Sequence, residues 1–191
     1  MNSLTKIVDY LYLGSYNDII KDYFRDVHTD VIINVAQECK NMLTNNDTIE
    51  YYHYLYDDRP NDKIIEVFDE IADLINEYIC NKKTVFIHCY AGRSRSASFV
   101  LVYLMKYRGY DLNSAYNYVD KLRGIYPNLG FINQLMEYEV KLTNKSTLDY
   151  DAICIDYIHS TVGFVTVDEV KTAYYNCGKD VDLTMDKLFD R

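Results

Sequence analysis

A short segment between residues 84 and 107 constrains the fold of this chain more than any other. Thr84 to Ile87 is a run of β-branched and aromatic residues after a polar stretch, which is typical of a buried strand. From Ser96 to Tyr107, apolar side chains recur at helical spacing and predict a helix. The residues in between therefore form a loop that joins the end of a strand to the N-terminus of a helix, as in α/β proteins.

This loop, residues 88–96, has the sequence His-Cys-Tyr-Ala-Gly-Arg-Ser-Arg-Ser. The N–H groups and the dipole at a helix N-terminus favour negative charge, so we expect them to stabilise a Cys89 thiolate. Gly92 lets the loop close around an anion, and Arg95 can hold two oxygens of that anion with its planar guanidinium. The loop therefore predicts a cysteine nucleophile beside an oxyanion site.

Composition limits the other possibilities. With 191 residues, of which 49% are hydrophobic, the chain can form one medium-sized domain and a small appendage. The formal net charge of −9 argues against nucleic acid as the main partner. The sequence has neither a long apolar run nor a basic segment followed by an apolar one. We therefore expect no membrane partner and a cytoplasmic location, with the nucleus as an alternative.

The cysteines and histidines predict neither disulfides nor a metal site. The five cysteines are an odd number, are widely spaced and include no Cys-x-x-Cys pair. This pattern favours reduced thiols over a disulfide framework or a zinc site. The four histidines also lack the spacing of metal ligands. We expect no metal and no cofactor, because a thiolate nucleophile needs neither.

Strands and helices alternate along the first three quarters of the chain. Short β-branched or alternating runs predict strands near residues 6–8, 11–13, 30–35, 50–56 and 84–87. Helical periodicity predicts helices near residues 16–24, 64–78, 96–107, 113–123 and 129–142. This alternation predicts an α/β fold in which helices cover both faces of a central, mostly parallel sheet.

A polar break at residues 144–147 separates a C-terminal segment with a different pattern. Beyond it, three short helical patterns follow one another and end near Phe189; Gly178 is the expected left-handed cap of the second, and Asp182 the expected N-cap of the third. We therefore predict a catalytic domain over residues 1–143 and a small all-helical domain over residues 150–191.

The loop matches the signature His-Cys-x5-Arg-Ser and so resembles the protein tyrosine phosphatase superfamily, in detail its dual-specificity branch. Four other segments are similar to that family in their order and spacing, residues 11–15, 33–36, 103–105 and 127–131. Together they make residues 7–141 look like a complete dual-specificity phosphatase domain. The resemblance implies the protein-tyrosine-phosphatase-like fold, a central sheet flanked by helices.

The resemblance also implies roles for the loop residues. Cys89 is the expected nucleophile and forms a cysteinyl-phosphate intermediate, while Arg95 holds the equatorial oxygens of the phosphoryl group. Ser96 is expected to donate a hydrogen bond to the Cys89 sulfur and so help it leave. The expected substrate-binding positions are Tyr90, Ala91, Gly92, Arg93 and Ser94.

Two residues are expected to support the loop. His88 is expected to order the loop and favour the thiolate, the plainer alternative being a hydrogen-bonded core histidine. Asn128 holds the loop, as the Pro-Asn segment does in the family, or is a simple helix N-cap. The side chain of Arg93 points either at substrate or at solvent.

An alkoxide or phenoxide leaving group needs a proton, so a general acid is required. The family places an aspartate for this purpose on a mobile loop upstream of the cysteine. Asp57 and Asp58 both lie in a predicted loop, and the spacing to Cys89 favours Asp58. Asp57 stays the alternative, and Asp62 is a more remote candidate.

The leading hypothesis is dephosphorylation of phosphotyrosine and of phosphoserine or phosphothreonine in proteins. A phosphoinositide or other non-protein phosphatase is one alternative, for which Arg93 is the main support. A catalytically weak phospho-binding adaptor is another.

The C-terminal segment carries a second, looser resemblance. Gly163-Phe164 and residues 178–182 are similar to segments of ubiquitin-associated domains. This implies ubiquitin or another protein as a partner of residues 150–191. The alternative is a helical extension packed against the catalytic domain.

Overall fold

A five-stranded sheet forms the centre of the N-terminal part of the chain in the computed structural model, which describes residues 4–43 and 48–190. The strands are β1 (Thr5–Val8), β2 (Leu11–Ser15), β3 (Val31–Asn34), β4 (Glu50–His53) and β5 (Val85–Cys89). They lie in the order β1-β2-β5-β3-β4; β1 is antiparallel to β2, and the other neighbours are parallel. The predicted α/β fold with a mostly parallel sheet is confirmed.

Strand β5 lies in the middle of the sheet, and all of its residues are buried. Cys89 is in register with Ser15 at the end of β2, and His88 is in register with Asn34 at the end of β3. Because the carboxyl ends of parallel strands meet at one edge of a sheet, the segments that follow these strands converge there. This edge carries the candidate site.

Helix α4 is buried along most of its length. The helices of this unit are α1 (Tyr16–Ile20), α2 (Tyr23–Asp26), α3 (Phe68–Cys80), α4 (Arg95–Arg108), α5 (Leu112–Arg123) and α6 (Leu129–Thr143), with a 3₁₀ segment at Ile64–Val67. Helix α4 packs against α3, α5 and α6 and is buried from Arg95 to Met105. Its sequence is accordingly apolar around most of its circumference.

Within residues 4–43 and 48–190, no helix is long and apolar enough to cross a lipid bilayer.

Three predicted elements differ from the structure in detail. The helix expected over residues 16–24 is two short helices, because Asp22 between them has a left-handed backbone with φ of 56°. Aspartate tolerates this conformation better than most residues. Strand β4 ends at His53 rather than at Tyr56, and the first turn of the helix expected over residues 64–78 is a 3₁₀ turn.

The chain divides into two compact units, Met1–Thr147 and Leu148–Arg191. The helices of the second unit, α7 (Tyr150–Val162), α8 (Val167–Asn176) and α9 (Val181–Phe189), pack against one another. The helix expected from Asp182 begins earlier, because Asp180 is its N-cap and accepts a hydrogen bond from Leu183 N at 2.8 Å. The predicted domain ranges also include residues 1–3, 44–47 and 191, which lie outside the described residues.

Candidate active site

Cys89 lies at the end of β5, where the chain enters the loop before α4. Its side chain is buried, and its Sγ accepts hydrogen bonds from Gly92 N and from Ser96 Oγ, each at 3.2 Å. Both donors stabilise negative charge on the sulfur. The structure therefore places Ser96 beside the sulfur atom that it is predicted to assist.

Gly92 is required by the shape of this loop. Its φ of +70° is left-handed, and a Cβ atom at this position would lie 2.2 Å from Gly14 O and 2.5 Å from Arg123 Nη2. Any L side chain would meet both the strained backbone angle and these atoms. The loop thus depends on glycine to approach β2 this closely.

The guanidinium of Arg95 is buried and is held by one carboxylate. Its Nη1 donates to Glu38 Oε2 at 2.7 Å and its Nη2 donates to Glu38 Oε1 at 2.5 Å. Nη1 also donates to the carbonyl of Tyr56 at 2.8 Å. Glu38 therefore occupies the whole outer edge of the guanidinium in a bidentate ion pair.

One edge of the same guanidinium stays without an acceptor. Arg95 Nε is buried and has no hydrogen-bond partner within the described part of the chain. Its nearest carboxylate oxygen is Asp58 Oδ2, at 3.7 Å. The Nε–H and the second Nη2–H lie on the same edge, at the spacing of two oxygens of one phosphoryl group. This is the edge that a bound phosphate would use.

Asp58 lies against the loop that follows Cys89. Its Oδ1 accepts hydrogen bonds from Ser94 Oγ at 2.7 Å and from Asn128 Nδ2 at 2.8 Å. Together with its position 3.7 Å from Arg95 Nε, this brings one predicted acid into the neighbourhood of the predicted nucleophile.

Asp57 and Asp62 have other partners. Asp57 Oδ1 accepts a hydrogen bond from Gln37 Nε2, and its Oδ2 lies 3.5 Å from Arg59 Nε. Asp62 Oδ2 accepts a hydrogen bond from Asp57 N at 2.6 Å and so holds the backbone of residues 57–62 in a turn. Of the three candidate acids, Asp58 is the one bonded to the Cys89 loop.

Asn128 combines the two roles that the sequence left open. Its Oδ1 accepts a hydrogen bond from Phe131 N at 3.0 Å and caps α6, while its Nδ2 donates to Asp58. Its backbone N–H donates to Ser94 Oγ at 3.3 Å. Asn128 thus joins the start of α6 to the Cys89 loop and to the loop that carries the three candidate acids, residues 57–62 (the acidic loop).

Helix α6 also holds the acidic loop at two further points. A Cβ atom at Gly130 would lie 1.9 Å from Pro60 O, so glycine permits the loop to pack on the first turn of the helix. Gln134 accepts a hydrogen bond from Ile65 N at 2.9 Å and donates one to Asp62 O at 2.8 Å. The position of Asp58 therefore follows from contacts with α6.

The comparison with known proteins agrees with this geometry. Residues 11–141 match the family model described as "Dual specificity phosphatase, catalytic domain". The chain belongs to the dual-specificity phosphatase family. It is 39% identical over 119 residues to human dual specificity protein phosphatase 18, which covers 62% of this chain and 62% of that protein. The chain therefore spans less than two thirds of the length of this relative.

Two further likenesses cover more of the matched protein. The 123R protein of Invertebrate iridescent virus 6 is 36% identical over 136 residues, which is 71% of this chain and 91% of that protein. The crystal structure of DUSP15 superposes with a TM-score of 0.68 and 28% identity over 73% of this chain and 88% of that one. Residues 11–141, which match the family model, lie within the first unit and contain the loop.

Sequence reasoning missed Glu38 as a residue of this site. Glu38 follows β3, and the carboxyl end of β3 lies beside the end of β5. An acidic residue just after a buried central strand was the available signal, but only the packed sheet shows that it meets Arg95. Hydrogen bonds from Arg95 hold the pKa of the Glu38 carboxyl below its ordinary value.

The ring of His88, the residue before the nucleophile, is buried. Burial lowers the pKa of this imidazole to about 4, so the ring is neutral at physiological pH and contributes no positive charge to the thiolate. Its Nδ1 lies 3.3 Å from Cys89 O, and its ring stacks on Phe86 at a centroid distance of 5.4 Å. His88 is therefore a core residue that orders the start of the loop.

The outer loop positions face away from the core. Tyr90, Ala91 and Arg93 are exposed, and Ser94 is buried under Asp58 and Asn128. Arg93 Nε donates to the carbonyl of Gly124 at 2.7 Å. This bond holds the exposed Arg93 side chain on the link between α5 and α6.

The bidentate ion pair between Glu38 and Arg95 generates a first prediction. Replacing Glu38 by glutamine leaves one acceptor and places an amide N–H₂ against the Arg95 guanidinium. Because a hydrogen bond to a charged group contributes about 1.5–3 kcal/mol, kcat/KM on p-nitrophenyl phosphate should fall roughly 10- to 100-fold. Glu77→Gln, the same change at an exposed position of α3, is the control and should behave as wild type. Unchanged kcat/KM in folded Glu38→Gln would contradict the conclusion that Glu38 positions the Arg95 guanidinium.

The contacts of Asp58 generate a second prediction. Asp58→Ala should lower kcat by about 10²- to 10⁴-fold for phenyl phosphate, whose leaving group needs a proton. It should lower kcat much less for p-nitrophenyl phosphate, whose leaving group needs little help from a proton. Asp57→Ala is the matched control in the adjacent position; if it produces this pattern instead, the acid is Asp57.

Proposed function

We propose that this chain hydrolyses phosphotyrosine and phosphoserine or phosphothreonine in proteins through a cysteinyl-phosphate intermediate. The observation that carries the proposal is the meeting of three groups at one loop. They are the hydrogen-bonded Cys89 sulfur, the Asp58 carboxylate bonded to Ser94, and the buried Nε of Arg95, for which the described part of the chain offers no hydrogen-bond acceptor.

In the first step, the Cys89 sulfur attacks phosphorus and the bond from phosphorus to the ester oxygen breaks. Protonated Asp58 gives its proton to the leaving oxygen, so the alcohol or phenol departs neutral. The free edge of Arg95 and the loop amides hold the three equatorial oxygens, and these contacts strengthen as the oxygens flatten in the transition state.

In the second step, a water molecule attacks phosphorus and the sulfur–phosphorus bond breaks. The Asp58 carboxylate accepts a proton from this water, which restores the acid for the next turnover. Ser96 Oγ, 3.2 Å from the sulfur, donates to the departing thiolate and makes it a better leaving group. Phosphate then leaves, and Cys89 is again the free thiolate.

Phosphoproteins are the substrate class that the similarity favours, because the relative with 39% identity is named a dual specificity protein phosphatase. Two features disfavour an anionic lipid as substrate. The chain carries a net charge of −9, and Arg93, the residue that would select additional phosphates, already donates to Gly124.

The test is metal-free hydrolysis of a phosphotyrosine peptide and a phosphothreonine peptide of otherwise identical sequence. Wild type should release phosphate from both, and Cys89→Ser should release none while still binding phosphate. Hydrolysis of soluble inositol phosphates without hydrolysis of either peptide would replace protein by non-protein substrates. Phosphate binding without any turnover by wild type would favour the phospho-binding adaptor.

For the second unit, we infer that ubiquitin is its partner. Phe164, which follows Gly163, is 66% exposed, and Phe189 at the end of α9 is 54% exposed. Their ring centroids lie 6.0 Å apart, so the two side chains form one apolar patch. Acidic residues outnumber basic ones in this unit, which favours a partner whose apolar contact surface has a basic rim.

The patch gives a prediction that does not depend on catalysis. Titration of the full chain with ubiquitin, followed by NMR on labelled ubiquitin, should show shifts for wild type that Phe164→Ala weakens several-fold. Tyr175→Ala removes a similarly exposed aromatic ring from α8 and should leave the titration unchanged. Absence of shifts for wild type, or an equal loss in both variants, would contradict ubiquitin binding at this patch.

A further inference from the structure

Arg123, the last residue of α5, lies behind the Cys89 loop and donates to its backbone. Its Nε donates to Gly92 O at 2.7 Å, and its Nη2 donates to Ala91 O at 3.4 Å. Its Nη1 donates to Thr5 Oγ1 at 3.2 Å on the first strand. One side chain thus connects the middle of the loop to the edge of the sheet.

The direction of these two carbonyls decides the direction of the loop amides. A trans peptide unit is planar, and its C=O and the N–H of the next residue point in opposite directions. The described residues contain no cis peptide bonds. Carbonyls of Ala91 and Gly92 that point back to Arg123 therefore turn the N–H groups of Gly92 and Arg93 toward the front of the loop. Consistently, Gly92 N donates to Cys89 Sγ.

The neighbouring carbonyls of the loop are held by backbone donors instead. Tyr16 N donates to Tyr90 O at 3.0 Å, and Tyr126 N donates to Arg93 O at 2.7 Å. The first residue of α1 and a residue of the link between α5 and α6 thus fix the two ends of the loop. The two central peptide groups are fixed from behind by Arg123.

A guanidinium meets two requirements of the position of Arg123: it stays charged when partly buried, and it donates to several acceptors. Burial lowers its pKa, while the charges of Asp18 and Cys89 act in the opposite direction. A guanidinium has a pKa so high that it stays protonated even when partly buried, and its separate N–H donors can reach two carbonyls and a hydroxyl at once. The single ammonium group of lysine cannot reproduce this set of contacts.

We propose that Arg123 is a positioning residue of the phosphate-binding loop. It holds the carbonyls of Ala91 and Gly92 outward, so that the amides of Gly92 and Arg93 face the phosphoryl oxygens and the Cys89 sulfur. It acts through the backbone and touches neither the substrate nor the reacting atoms. The inference rests on the proposed function for turnover, but its effect on phosphate binding can be measured without turnover.

The test compares Arg123→Met with Lys121→Met, which makes the same loss of charge at an exposed position of the same helix. Affinity for inorganic phosphate is measured by calorimetry, and kcat/KM on p-nitrophenyl phosphate by steady-state kinetics, both well below the melting temperature. Because misplacing reacting groups by about 1 Å can cost on the order of 100-fold in rate, Arg123→Met should lose about that factor in kcat/KM. It should also bind phosphate more weakly, while Lys121→Met matches wild type.

Arg123→Lys is the second variant in case Arg123→Met does not fold. It keeps the charge but offers one donor group, so it should fold and still bind phosphate more weakly than wild type. Wild-type phosphate affinity in either folded variant would overturn the proposal. If wild type binds phosphate but hydrolyses no substrate, the proposed function fails, and the comparison of phosphate affinities still decides the role of Arg123.

Discussion

The rest of the site depends on one buried cation. The guanidinium of Arg95 is almost completely removed from water, and a buried charge is costly unless it is paired and hydrogen-bonded. Glu38, after β3, and the carbonyl of Tyr56, after β4, supply this compensation along one edge. Within the described residues they leave Nε without a hydrogen-bond acceptor, and this edge lies next to the loop that carries Cys89. The same requirement that stabilises Arg95 therefore organises the site to attract an oxyanion.

The loop itself is held from two sides. In front, Ser94 donates to Asp58, and Asn128 joins both to the start of α6. Behind, Arg123 and two backbone N–H groups hold consecutive carbonyls. A short loop gains a defined shape in this way, because its peptide groups are bonded outward to α1, to the end of α5 and to the link that follows α5. Preorganised amides then need no rearrangement when charge develops on the phosphoryl oxygens.

The amino-acid sequence alone determined the local chemistry of this protein. The β-branched run before Cys89 and the helical spacing after Ser96 define strand, loop and helix without reference to any distant residue. Gly92 and Arg95 are likewise close to the nucleophile along the chain, so their presence in one loop could be predicted. The alternation of strands and helices was sufficient for the α/β class and the parallel sheet, because hydrophobic periodicity reflects which faces of each element are buried.

Only the tertiary structure decided which distant side chains complete the site. Glu38 and Arg123 reach the loop from elements far away in sequence, and their contacts follow from strand order and helix packing. The different partners of adjacent Asp57 and Asp58 follow from the packing of one turn on α6, which no local propensity encodes. Burial keeps His88 neutral, and that burial is a property of the packed sheet. Local propensity thus specified the loop, whereas long-range burial and hydrogen bonding specified its surroundings.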